Sequence, residues 1–99
     1  MTRSDQLRLE QVDPDNILAA LSTRQHLHPH RPLQQVLAEA QRELGFCMGA
    51  AQAAIAWLRL DASLAVGRLR RSELIQLARS IHRFWRQALA DSVPQSQLT

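Results

Sequence analysis

Residues 44 to 57 read LGFCMGAAQAAIAW, a run in which Gly45, Gly49, Ala50, Ala51, Ala53, Ala54 and Ala56 leave almost no side-chain bulk. The pattern that leads into it predicts a helix. Leu33, Val36, Leu37, Ala40 and Leu44 recur at intervals of three and four from Pro32, and Met48, Ile55, Trp57 and Leu58 continue the series. One long central helix over 32–58 is therefore expected, about 40 Å long at 1.5 Å per residue. On that helix Gly45, Gly49, Ala53 and Ala56 fall within roughly 80° of one another, a stripe that a second helix can approach closely. Such a stripe packs either against the last helix of the same chain or against a second copy.

On the N-terminal side, Asp13 and Pro14 read as a cap and a first helical residue, with Ile17, Leu18 and Leu21 as the apolar face of a short helix over 14–23. Residues 25–31 hold His26, His28 and His30 around Pro29 and read as a linker. On the C-terminal side, Asp61 is expected to cap a short helix carrying Leu64, Val66 and Leu69. Ser72 is then expected to cap a last helix over 73–90. There Leu74, Leu77, Ala78, Ile81, Phe84, Trp85 and Ala88 form one arc, and Arg79, His82, Arg83 and Arg86 lie opposite. The expected fold class is all-α: a long central helix packed with a C-terminal amphipathic helix, short flanking helices, and a homodimer formed through the long helix. Residues 1–12 are expected to form a flexible arm, 13–91 a single helical domain and 92–99 a flexible tail.

A chain of 99 residues supports one modest core. Three glycines and four prolines argue against a loop-rich or all-β domain. All the basic side chains are arginine. Six stand in residues 62–99 against only Glu73 and Asp91, so the basic field is C-terminal and suits an acidic protein surface or phosphates. The lone Cys47 suits a reducing compartment, and cytoplasmic localisation is expected. Residues 1–12 carry Asp5 and Glu10 and no apolar run, unlike a secretory signal. The longest nearly uncharged segment, 44–58, is too short to span a bilayer, so no membrane partner is expected.

Several chemistries fail for lack of residues. His26, His28 and His30 have no cysteine or carboxylate at ligand spacing, so no metal is expected and a surface loop is the simpler reading. Cys47 lacks a neighbouring base. No paired carboxylates or phosphate loop can be assembled, and neither catalytic residues nor a cofactor are expected. A helix-turn-helix over 62–81, with Ser63 and Gly67 in its turn, would have to bury Glu73 and Gln76, and fails. What remains is recognition. Leu37, Leu44, Gly45, Met48, Gly49, Ala53, Ile55 and Ala56 are the candidate partner or dimer interface, and Arg79, His82, Arg83 and Arg86 a polar rim or nucleic-acid contact. Trp57, Phe84 and Trp85 read either as core or as anchors for a partner.

The run Ala40-Gln41-Arg42, then Leu58-Arg59-Leu60, then LRRSELIQLARS over 69–80 resembles in order and spacing the FlhD-type flagellar transcriptional regulators, over about half the chain. That family consists of dimeric helical coactivators that bind a second regulatory subunit, and the resemblance implies a similar role here. The cysteine that the family carries near its last helix is missing, with Ile81 and His82 at that place, so its covalent link between subunits is not expected. In size and character the chain is also similar to the small all-α antiactivators of quorum sensing. The expected function is thus a small dimeric regulatory protein that binds a transcription regulator. A direct nucleic-acid-binding module and a secretion chaperone or assembly subunit are the alternatives.

Overall fold

The structure, a computed structural model, describes residues 12–91, and these form an all-α fold. Its helices are α1 (Pro14–Leu27), α2 (Leu33–Leu44), α3 (Met48–Leu58) and α4 (Arg71–Asp91), with a single 3-10 turn at Val66–Arg68. Both α1 and α3 lie along α4, and α2 packs on α1. The centre of the molecule is therefore the C-terminal helix. The expected arm and tail lie outside the described residues, apart from Val12, which is buried in the core.

The long helix over 32–58 is not formed. Gly45 adopts a left-handed conformation, φ 93°, and its N–H donates to the Gln41 carbonyl at 2.7 Å, which ends α2. The chain then turns through Phe46 and Cys47 before α3 begins. Phe46 is the reason the break is stable. It inserts completely into the core among residues such as Leu37, Leu44 and Ala54, a burial that a continuous helix would forbid. At its other end α3 stops on a Schellman motif, in which Arg59 N–H donates to Ala56 O at 3.2 Å and Leu60 N–H to Ile55 O at 3.0 Å. Arg59 takes the left-handed position there, φ 57°, which glycine usually occupies.

The first helix begins as expected, with Asp13 Oδ1 accepting from Asn16 N–H at 2.7 Å. It runs a turn beyond the expected end because tertiary bonds hold its last residues. The Gln25 amide donates to the carbonyls of Val66 and Leu69, at 3.0 and 2.8 Å. The short helix expected after Asp61 is also absent. Asp61 instead accepts from the Ser63 N–H and hydroxyl, at 2.9 and 2.7 Å, and closes a local turn. The freed carbonyls of that loop have another use. Leu64 O and Ala62 O accept from the first N–H groups of α2, Leu33 and Gln34, both at 2.8 Å, and so cap a helix whose N-cap, Pro32, has no side chain to do it. The last helix starts at Arg71, ahead of the expected Ser72 cap. Glu73 reaches back to accept the Arg70 N–H at 2.7 Å.

Candidate functional site

Two surfaces carry side chains that packing does not consume. The first is the outer face of α3 and α4. Helix α3 contains no charged residue, and its buried side, Ala50, Ala51 and Ala54, lies against the core. Residues four apart on its flank, Gly49, Ala53 and Trp57, lead to an indole that is 62% exposed. This indole has two neighbours on α4. Phe84 of α4 meets it edge to face, with centroids 6.3 Å apart, and the Arg83 guanidinium lies 5.5 Å from the Trp57 centroid and 6.0 Å from that of Phe84. Contacts of this kind are worth about 0.5–1 kcal/mol each at exposed sites, enough to restrict rotamers without burying them.

Arg79 and Arg86 are exposed one turn to either side of Arg83, so the arginine stripe exists. Among the described residues none of the three pairs with a carboxylate. His82 departs from the stripe. It is half-buried and lines, with Val12, Trp85, Leu89 and the Arg86 of the stripe, a small cavity of about 230 Å³.

The candidate interface on 37–56 divides. Leu37 and Leu44 are buried inside their own chain and cannot meet a partner without opening the core. Met48 and Ile55 are half-buried against the same core. Gly45 stands in the α2–α3 connection rather than on a helix, which removes it from the stripe. Gly49 and Ala56 are exposed and Ala53 half-buried, so this part of the stripe faces outward instead of packing on α4. A methyl group added at Gly49 would meet only the chain's own Cys47 Sγ, at 3.9 Å. Cys47 itself is a half-buried free thiol. His26, His28 and His30 are exposed, and among the described residues no three His, Cys, Asp or Glu side chains gather as a metal site would need.

The second surface is a groove of about 790 Å³ between α1 and α2, with Leu27 exposed at its edge. Its floor is an ion-pair network absent from the sequence reading. Arg31 holds both Glu39 oxygens at 2.8 and 2.9 Å, while Arg24 reaches Glu39 at 3.2 Å and Glu43 at 2.8 Å. The legible signal was the spacing of Glu39 and Glu43, which puts two carboxylates on the polar side of α2; their arginines come from elsewhere in the chain. Partial burial pulls the Glu39 carboxyl upward, but hydrogen bonds from Arg31, Gln35 and Arg24 and the Arg31 charge outweigh it and hold the group below its ordinary value. A carboxylate lowered in the folded state contributes stability above the unfolded value of 4.5, and that contribution is lost as pH falls through the lower folded value. Glu39→Gln is accordingly expected to cost about 1–2 kcal/mol at neutral pH. The gap between variant and wild-type urea midpoints should narrow as pH falls below 4.5 and through the lowered folded value. A gap that stayed constant with pH would refute the role of the charge.

With its ion pairs satisfied internally, the α1–α2 groove reads as structural. The α3–α4 face, with an exposed aromatic in contact with Phe84 and Arg83, a row of small residues and cations that pair with no carboxylate among the described residues, is the candidate site. No helix among the described residues is long and apolar enough to cross a membrane. Comparison of the chain with protein families, with curated proteins and with solved structures finds no match.

Proposed function

We propose that this protein is a small cytoplasmic regulator that acts by binding a transcription regulator, as coactivator or antagonist, rather than by catalysis. The observation that carries the reading is Trp57, left 62% exposed and in contact with Phe84 and Arg83, on the helix that also carries Gly49, Ala53 and Ala56. Aromatic and arginine side chains held in this way are the groups that concentrate binding energy in protein interfaces. The resemblance to FlhD-type coactivators points to the same class of function.

The test is retention of partners from a nuclease-treated lysate of the native host by the tagged chain, identified by mass spectrometry. One transcription factor is expected at near-stoichiometric level, lost with Trp57→Ala and with Gly49→Leu. Because Gly49 opens to solvent, its substitution should leave the melting temperature within a few degrees of wild type. Retention that survives both substitutions would remove the α3–α4 face from the reading. If nucleic acid alone is retained, and nothing after nuclease treatment, the Arg79, Arg83 and Arg86 row becomes a phosphate contact and the regulator reading falls.

Self-association is a second reading, favoured by the self-complementary row on α3. In an antiparallel pair of α3 helices with its two-fold axis at Ala53, Trp57 of each chain falls over Gly49 of the other, a bulky end meeting an empty one. Sedimentation of wild type and Gly49→Leu tests it: a dimer that the substitution splits supports this reading, and a wild-type monomer refutes it.

A further inference from the structure

The charge pattern around Trp57 specifies the chemistry of what docks there, an inference that rests on the binding reading above. Arg79, Arg83 and Arg86 form one exposed row over roughly 10 Å of helix rise. Among the described residues no carboxylate pairs with them. Helix α3 has none, and the acids of α4 stand at its two ends, Glu73 being engaged with the Arg70 N–H. Arg83 is in addition held over two aromatic rings, so its pairing with a carboxylate loses less side-chain freedom than that of a mobile arginine. The row meets α3 where Arg83 lies over Trp57, and the outer residues of that uncharged helix, Gly49, Ala53 and Ala56, permit close backbone approach.

We propose that the occupant of the α3–α4 face is an acidic amphipathic helix of another protein. Its apolar side packs on Trp57 and the small residues, and carboxylates spaced three and four apart meet Arg79, Arg83 and Arg86. A second copy of this chain fits the small residues but brings like charges toward one seam. A nucleic-acid duplex matches the arginines but leaves the apolar strip uncovered.

The experiment follows Trp57 emission of the full chain during titration, with Trp57→Phe as the control that assigns the signal. Three probes are used: an amphipathic peptide with a leucine seam and glutamate flanks, the same peptide with lysine flanks, and duplex DNA. The acidic peptide is expected to shift the emission to the blue. Its affinity should fall about tenfold or more in the triple variant Arg79→Glu, Arg83→Glu, Arg86→Glu, and that variant should instead gain affinity for the lysine peptide. The exchange of preference also shows that the variant is folded. Absence of binding by the acidic peptide, whatever else binds, overturns the proposal. DNA as the only ligand assigns the row to phosphates. A dimer that tightens as salt rises, with no peptide bound, assigns the face to a second copy. A transcription factor retained through Trp57 while the acidic peptide fails leaves the regulatory reading standing and removes this inference alone.

Discussion

Phe46→Ala is expected to lower stability by about 3–5 kcal/mol, the range for removing a fully buried phenylalanine from a core that cannot collapse around the cavity. The ring is completely enclosed, in the three-residue connection between α2 and α3, and it is the largest side chain buried to that degree. A domain of this size has roughly 5–15 kcal/mol in total, so the variant should stand near the edge of folding. Urea unfolding followed by helical circular dichroism measures the loss. Phe46→Leu, which retains most of the apolar volume, should cost about 1–2 kcal/mol. A loss below about 1 kcal/mol in the alanine variant would show that the α2–α3 connection is not anchored in the core, and the break in the long helix would lose its explanation.

The second large effect is expected at Gly67. This residue lies in the 3-10 turn with its N–H donating to the Pro29 carbonyl at 2.8 Å. A Cβ at position 67 would stand 2.7 Å from Pro29 Cβ and 2.8 Å from Pro29 O. Neither atom is the end of a flexible chain, so the 28–31 loop and the 66–68 turn would have to separate. Gly67→Ala should therefore cost about 1–3 kcal/mol, or on the order of 4–8 °C per kcal/mol in melting temperature, although alanine is the better residue for a helical conformation. Separation of the segments would also strain the bonds from Gln25 to Val66 and Leu69 and the contact of Val66 N–H with Arg31 O. Hydrogen exchange should show that damage as faster exchange at Gly67 and Val66. Unchanged melting and exchange would mean that the two segments do not touch so closely.

The glycine at position 67 also shows why a motif reading goes astray. In sequence, Ser63 and Gly67 suggest the turn between two helices, and the polar residues Glu73 and Gln76 argue against the motif. The structure agrees with the rejection and supplies its physical basis: residues 61–69 make a local Asp61 turn, cap α2 through carbonyls and pack Gly67 on Pro29. The N–H groups of α2 and Pro29 are distant in sequence, so periodicity reads the segment as a helix.

For the candidate site, the row of Arg79, Arg83 and Arg86 was legible because a helix repeats its faces every 3.6 residues, and the small residues of α3 were legible as a surface fit for close approach. The direction of that surface was not. Leu37 and Leu44, offered to a partner by the pattern, face inward, whereas Trp57, equally apolar, faces outward, and the joining of Trp57 to Phe84 and Arg83 depends on how α3 lies along α4.

The sequence by itself determined the all-α class, the start of α1 at Asp13 and Pro14 and the amphipathic division of α4, because caps, proline geometry and helical period act between residues a few positions apart. Only the tertiary structure decided that the helix over 32–58 breaks at Gly45, that Arg24 and Arg31 meet Glu39, and which apolar residues remain outside. A glycine inside a helical pattern permits a break without requiring one. The burial of Phe46 favours the broken chain, and that burial exists only once distant segments have packed.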